Sequence, residues 1–411
     1  MRDLNAWLRY ISTQHDQVID MGLARMQHMV TQLELQKPAA QIITVAGTNG
    51  KGSTCIACEA LLLGHGLRVG VTLSPHLFEF NERIRIDGLP ATDDAICAAF
   101  ATVEAVRDGT ALTYFEYAAL AALWCFKVAN VDVVVLEIGL GGRLDAFNII
   151  AADIAVVTSI GLDHQAYLGE TLELIGAEKA GVLRPDQHVA LGANMPRSVL
   201  ARAADLDLRP ECMGRDAWVD IDTEKQSWSL VYQGQVLLDG LPMTACAPHN
   251  AALAFLALHK LLDMNLDRVA EAFSSATLAG RLQQSVHDER CWILDVAHNP
   301  AAAAFLVERL RQLHLQPVII VCAMLADKDH VAVFNTVKDA FDVPWLVLDS
   351  AGARSLNGVD LAKKLNDVSH VTVSTWSELE HQVNTVTQPG DVILALGSFS
   401  VIEQVIEQIG I

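Results

Sequence analysis

Along the chain, short apolar and β-branched runs alternate with longer stretches of helical periodicity, the pattern of parallel α/β sheets. Ile42 to Ala46 is an apolar run, followed by a glycine-rich turn and a helical stretch from about Lys51 to Gly66. Val131 to Ile138 is almost entirely apolar, as a strand covered on both faces should be, and Asp153 to Ser159 repeats the pattern. The rhythm changes between about Val189 and Leu241. There Trp218 to Leu238 alternates weakly, with turn signals at Thr223–Glu224 and Gln233–Gly234, which predicts antiparallel hairpins. Ala251 to Leu262 then predicts a strongly apolar helix.

A second α/β series begins near Arg281. Strands are predicted at Trp292–Val296, Val318–Cys322, Trp345–Leu348, Val371–Val373 and Val392–Leu396, each followed by a helix-compatible stretch. This series predicts a doubly wound, Rossmann-like unit of about 130 residues. The boundary is expected near Ala279–Gly280, giving domains at 1–279 and 280–411.

Composition narrows the partners. Of 411 residues, 52% are hydrophobic and 19% charged, which fits a large buried core rather than disorder. The 29 Lys and Arg against 49 Asp and Glu give a net charge of −20. A nucleic-acid track needs a basic footprint, and an anionic membrane surface repels such a body, so neither is expected as a partner. Small anions are not excluded, because local groups can overcome a global field. The stretch from Met1 to Ser12 lacks the features of a signal peptide, and no apolar run reaches the about 18–20 residues of a membrane helix. A cytoplasmic protein is expected. The eight cysteines are scattered and form no disulfide framework; Cys55 and Cys58 make a CxxC inside a predicted helix and read as buried thiols.

The strongest chemical signal is Gly47-Thr48-Asn49-Gly50-Lys51-Gly52-Ser53-Thr54, directly after a strand and before a helix. Small residues let backbone N–H groups cradle phosphate oxygens, and a helix N-terminus adds a favourable dipole. Lys51 can reach a β- or γ-phosphate, and Ser53 or Thr54 offers a hydroxyl near the metal. The strict G-x-x-x-x-G-K-[ST] pattern is not met, since the loop is shorter and Gly52 follows the lysine. Even so, strand, loop, lysine and helix together predict an ATP site.

A triphosphate needs a cation, commonly held by an acid at the end of a neighbouring strand. Glu137 ends the apolar run Val133–Leu136, and a carboxylate there is costly to bury unpaired, so it is expected to hold a metal or else a basic side chain. Thr158 to His164 and Ser74-Pro75-His76 follow other predicted strands and reach the same edge, where oxygen and nitrogen donors would suit Mg2+. Gly139 to Asp145 is a turn whose glycine spacing is wrong for a dinucleotide fingerprint. Lys179, in Glu178-Lys179-Ala180-Gly181, reads from the residues alone as a partner for phosphate or carboxylate.

In order along the chain stand GTNGKGS, SPHL at 74–77, LTYFEY at 112–117, EIGLGGRLDA at 137–146, LDH at 162–164, EKAG at 178–181, GR at 280–281 and DVAHNP at 295–300. Together they resemble the folylpolyglutamate synthase/dihydrofolate synthase family, ATP-dependent amide ligases related to the Mur ligases. The likeness runs from about Ile19 to beyond Ser398. It implies a P-loop-containing, Mur-ligase-like first domain and a smaller Rossmann-like glutamate-ligase domain. It also implies that Gly47, Thr48, Asn49, Gly50, Lys51, Gly52 and Ser53 hold ATP phosphates, with further ATP contacts at Asn250, Arg281 and Asp295. Ser74, Glu137 and His164 match the Mg2+ ligands, and a monovalent cation such as K+ is an additional expectation. Lys179 matches a lysine carbamylated in the family. His298 and Ser398 match positions linked to the incoming glutamate, and Lys51, Lys179 and His298 are the expected catalytic residues. Asp20, Met21 and Gly22, with Thr113, Tyr114, Phe115 and Glu116 and with Leu144, Asp145 and Ala146, match the pterin-binding segments.

Two departures stand out. Phe147 replaces the usual Thr after GGRLDA, and Met324 to Asp329 varies mildly on the family's run. The implied reaction phosphorylates a substrate carboxylate from ATP and then lets the amine of L-glutamate displace phosphate. The expected acceptors are dihydropteroate and reduced folates, with a monofunctional folylpolyglutamate synthase as the alternative. A Mur ligase proper would add an N-terminal UDP-binding domain, whereas about 40 residues precede the loop here. A P-loop switch ATPase would give DVAHNP no role. The expected assembly is a monomer.

Overall fold

The computed structural model describes residues 2–17, 19–326, 328–348, 356–364 and 370–410. They form two compact units, Met1–Ile221 with Trp228–Ala276, and Asp222–Ser227 with Thr277–Ile411. In the variant run Met324 to Asp329, Asp327 lies outside the described residues.

The first unit is built on an eight-stranded sheet of β1 (Gln41–Ala46), β2 (Val69–Thr72), β3 (Ile84–Ile86), β4 (Leu89–Pro90), β5 (Val133–Glu137), β6 (Ile154–Val157), β7 (His188–Leu191) and β8 (Glu211–Cys212), in the order β4-β3-β2-β5-β1-β6-β7-β8. β1 lies between β5 and β6 and runs parallel to both, with Val45 opposite Glu137 and Val156. Every residue of β5 is buried, which explains the unbroken apolar sequence. Edge strands β3 and β4 are antiparallel and too short to give a sequence signal. Helix Lys51–Gly64 follows β1 directly, two residues shorter at its end than the sequence pattern predicted.

Helix Tyr114–Ala129 starts where Thr113 and Glu116 form a reciprocal capping box, and it stops at Asn130, whose φ of 52° is left-handed. It packs nine buried apolar residues, among them Tyr117, Leu120 and Phe126, into the main core. At about 1.5–3 kcal/mol per large apolar side chain, such burial outweighs any propensity term of the helix. Cys55 and Cys58 sit fully buried in helix Lys51–Gly64 as free thiols, as the sequence predicted, and burial pushes the Cys58 thiol up to about 12.

β9 (Ala217–Asp222), β10 (Ser227–Tyr232) and β11 (Gln235–Pro242) make a three-stranded sheet in the order β11-β10-β9. Connections this short permit only antiparallel neighbours, so the predicted hairpins are present. Gln233 and Gly234 both have positive φ, the primed turn that suits twisted strands. The predicted apolar helix runs Pro248–Leu258, with Pro248 in its first turn and His259 as C-cap.

The second unit carries β12 (Gln283–His287), β13 (Arg290–Asp295), β14 (Pro317–Ala323), β15 (Trp345–Leu348), β16 (His370–Val373) and β17 (Val392–Gly397), in the order β12-β13-β17-β14-β15-β16. The last five are parallel, and all five coincide with predicted strands to within two residues at their ends. β12 was not predicted. It is polar and pairs antiparallel with β13 across Asp288 and Glu289, whose positive φ values of 48° and 60° form a tight turn without the usual Asn-Gly signal.

Candidate active site

The loop after β1 is shaped by two glycines. Gly47 has a φ of 148°, and a Cβ there would stand 1.9 Å from Thr158 Oγ1. Gly50, at φ 82°, is the left-handed N-cap of helix Lys51–Gly64, and its Cβ would meet Asn250 Oδ1 at 2.7 Å. Side chains cannot occupy either position without moving the loop. Asn250, nearly two hundred positions away in sequence, is thereby brought against the phosphate loop.

Loop and β6 are laced together. The Thr48 amide donates to Ser159 O at 2.8 Å, and Thr48 Oγ1 accepts from the Gly161 amide at 3.0 Å. Thr158 Oγ1 and Ser159 Oγ both donate to Asn49 O, at 2.7 and 3.0 Å. These bonds fix the loop ahead of a helix N-terminus, where the amides of a first helical turn lack intrahelical partners and can cradle an anion. Lys51 Nζ folds onto Thr48 O at 3.2 Å.

At the next strand end, the Glu137 carboxylate is buried and accepts the Ser74 amide at 2.7 Å. Its own amide donates to Thr72 Oγ1 at 2.8 Å, which ties β5 to β2 at the level of the site. Ser74 Oγ is shut off from solvent and has no hydrogen-bond partner. A buried carboxylate beside an orphaned hydroxyl suits a hard divalent cation, so the residues fit the implied Mg2+. His164 is exposed, with a left-handed φ of 51°, and lines the same cavity as Ser74.

Lys179, at the end of helix Leu172–Lys179, is buried, and its Nζ donates to Gly47 O at 2.8 Å. Burial and the charge of Lys51 pull its pKa down to about 7. Beside it, Arg143 pairs with Glu178 at 2.8 Å.

A cavity of about 310 Å3 opens at this sheet edge, large enough for a small organic substrate. It is lined by Asp20, Met21 and Gly22, by Thr113, Phe115 and Glu116, and by Leu144, Asp145 and Ala146, beside Ser74 and His164. Three segments far apart in sequence thus meet at one cavity. Tyr114 is not among the lining residues; its ring packs edge-on to Phe80 and under Arg83. Phe147 stacks edge-on against Phe115 with centroids 5.7 Å apart, so the unusual residue supports a cavity wall. Asp145 accepts the amides of Gly139, Leu140 and Phe147, each at 3.0 Å, and burial pushes its carboxyl up to about 6.

Two arginines escaped the sequence reading. Arg83 lines the cavity and donates from Nε to His76 Nδ1 at 2.6 Å; the burial of His76 and the charge of Arg83 hold the imidazole down at about 4. Arg25 bridges Asp20 at 2.7 Å and Glu116 at 3.1 Å. A lone arginine beside short elements carries no local pattern that would mark it in the sequence.

In the second unit, the predicted residues gather at the C-terminal ends of β13 and β17. Asp295 accepts the Leu282 and Ala297 amides, each at 2.8 Å, and burial raises its carboxyl while Arg281 opposes the rise. Arg281 lies 5.0 Å over the Phe399 ring, and His298 packs on the same ring at 6.5 Å. His298 Nδ1 donates to Val296 O at 2.8 Å, which fixes its orientation. Ser398 is the buried N-cap of helix Phe399–Ile409, its hydroxyl 3.0 Å from that of Ser400.

Residues 280–399 match the family model described as Mur ligase, glutamate ligase domain. The chain is 38% identical to the dihydrofolate synthase/folylpolyglutamate synthase of Escherichia coli K12, covering 99% of this chain and 95% of that protein. Among solved structures, E. coli FolC in complex with DHPP and ADP aligns with a TM-score of 0.93 at 36% identity, over 99% of this chain and 98% of that one. The bifunctional folylpolyglutamate synthase/dihydrofolate synthase with Mn, AMPPNP and L-glutamate bound aligns with a TM-score of 0.91 at 37% identity, over 100% and 99%. Likeness at this level, along nearly the full length of each partner and on the same Mur-ligase-like fold, means that the chain belongs to the dihydrofolate synthase/folylpolyglutamate synthase family of ATP-dependent ligases.

Proposed function

We propose that this enzyme joins L-glutamate to 7,8-dihydropteroate and to reduced folates, with ATP as the energy source and an acyl phosphate as intermediate. The observation that carries this reading is the cavity, in which the three segments that resemble pterin-binding segments line one wall and Ser74 and His164 another. The carboxylate end of the acceptor lies toward Ser74, beside the phosphate loop, and the ring end lies against Phe115 and the Asp20–Gly22 segment. Arg83, the cation lining the cavity among the described residues, holds the acceptor carboxylate and aligns it for attack on the γ-phosphorus.

Gly47 to Ser53 bind the ATP phosphates, and the Lys51 ammonium neutralises charge as it moves from the γ-phosphoryl group to the leaving ADP. Ser74, Glu137 and His164 would hold Mg2+, which would supply charge neutralisation at the phosphates. Asn250, Arg281 and Asp295 contact the nucleotide, while His298 and Ser398 position glutamate. The amine of glutamate then attacks the acyl carbon, the carbon–oxygen bond to phosphate breaks, and an amide forms.

Lys179 is the carbamylated lysine. A buried amine with a pKa near 7 is substantially unprotonated at neutral pH, so its lone pair attacks CO2, a nitrogen–carbon bond forms and one proton leaves to water. The resulting anion replaces a cation beside the loop and supports the metal. A bound K+, a monomeric state, a cytoplasmic location and the absence of nucleic-acid partners complete the reading; among the described residues no helix is long and apolar enough to cross a membrane.

The test is glutamate-dependent ADP release with dihydropteroate or tetrahydrofolate as acceptor. Release with both supports the bifunctional reading. Release with tetrahydrofolate alone makes the enzyme a monofunctional folylpolyglutamate synthase, and release with neither overturns the acceptor class.

A further inference from the structure

Away from the candidate active site, three side chains with an affinity for transition metals converge at the far end of the first unit's sheet. His188 opens β7, opposite Ile154 and hence level with Ile43 of β1, whereas the phosphate loop leaves the other end of β1. Glu211 lies in β8 opposite Ala190, and His259 caps helix Pro248–Leu258. One ring nitrogen of each histidine and one Glu211 carboxylate oxygen lie within 4.8 Å of one another.

The surroundings are those of metal ligands. His188 Nε2 and His259 Nδ1 both meet the Leu256 carbonyl oxygen, at 2.8 and 2.9 Å. A carbonyl only accepts, so both nitrogens carry hydrogen, and in the neutral rings the remaining nitrogens hold free lone pairs. A backbone carbonyl behind each imidazole is the usual device for fixing a ligating tautomer. His259 Nε2 faces Glu211 Oε2 at 3.7 Å. Glu211 itself is 4% exposed and hydrogen-bonded by the Tyr232 side chain. Its charge is met by an ion pair with Lys260, whose side chain is 55% exposed and free to swing into water.

A buried carboxylate calls for a cation, and an exposed lysine is one that a metal ion can displace. Bonds of about 2.0–2.1 Å in a tetrahedral site place ligand atoms roughly 3.3–3.4 Å apart, which is close to the present His259–Glu211 approach. Two imidazoles with one carboxylate select a borderline-soft metal over Mg2+, and water fills the fourth position.

We propose that His188, Glu211 and His259 form a binding site for a Zn2+-type divalent cation, separate from the site at Ser74, Glu137 and His164. When the metal enters, Lys260 leaves Glu211, and the ion clips the end of helix Pro248–Leu258 to β7 and β8.

The test titrates Co2+ into the chelator-stripped full chain with millimolar Mg2+ present to fill the hard-cation site. One equivalent with the intense visible absorption of tetrahedral coordination, displaced by one equivalent of Zn2+, is expected. His188→Gln/His259→Gln should lose that equivalent while keeping its Mg2+-dependent turnover. Lys260→Ala should bind about tenfold more tightly, since a competing cation is gone. Equal Co2+ binding by wild type and double variant, or octahedral absorption alone, would overturn the site. So would an unchanged affinity in Lys260→Ala. If circular dichroism shows the double variant unfolded, His259→Gln alone carries the same comparison.

Discussion

Lys179 Nζ donates to the carbonyl oxygen of Gly47 at 2.8 Å, which joins the last residue of one helix to the first residue of the phosphate loop. The bond lies in a buried setting where Lys51 adds a repelling charge, and the Lys179 pKa drops to about 7.

Carbamylation should therefore follow pH in a defined direction. A base with a depressed folded pKa stabilises the fold above its unfolded value, near 10.5, and loses that contribution as pH falls through about 7. Capture of CO2 runs the same way. With 13C-bicarbonate, a carbamate resonance is expected at about pH 8.5 and should vanish by about pH 6. Lys179→Met should show no resonance at any pH, and an active wild type that never shows one sinks the assignment.

Lys51→Ala should reduce glutamate-dependent ADP release by about a thousandfold or more, the usual scale for losing one preorganised charge at a phosphoryl transfer. The melting temperature should stay within a few degrees, because the half-buried Lys51 side chain donates from Nζ to a single long bond, to Thr48 O at 3.2 Å. Near-normal turnover in a folded variant would remove Lys51 from the chemistry.

Glu137→Gln keeps an oxygen for the Ser74 amide but removes the negative charge. Its Mg2+ requirement should rise by about tenfold or more, with the fold retained, since a carboxylate is worth far more than an amide to a hard cation. Ser74→Ala, which deletes an orphaned hydroxyl, should weaken Mg2+ binding, and so raise the Mg2+ requirement, without loss of stability. Unaltered Mg2+ titrations in both variants would place the metal elsewhere.

Arg83→Met should raise KM for dihydropteroate by about 10- to 100-fold, the effect of one charge-assisted hydrogen bond, with a smaller change in KM for ATP. Steady-state kinetics with each substrate varied in turn separate these outcomes. Equal losses toward both substrates would point to a collapsed cavity instead of a lost carboxylate partner.

What could be read ahead of the structure was local. The phosphate loop was legible because strand, glycines, Lys51 and helix are contiguous, and Glu137 was legible because a charge closing an apolar strand is out of place. Asn250 came only through family likeness, since its approach to Gly50 depends on how helix Pro248–Leu258 packs. Arg83 went unseen because β3, which follows it, has three residues and no periodicity to measure. β12 hid behind polar composition, as an edge strand with alternate residues in water need not be apolar. His188, Glu211 and His259 belong to three elements and share no motif.

Arg25 lies between Asp20 and Glu116, and Glu116 also accepts the Thr113 amide at 2.8 Å to start helix Tyr114–Ala129. One guanidinium thus yokes the N-terminal cavity segment to the origin of a core helix. The cavity wall is therefore not built from independently exchangeable loops. A transplant of residues 19–22 that replaced Asp20 would leave Arg25 holding half of its anions, and such a graft would work only if Asp20, Arg25 and Glu116 were exchanged together.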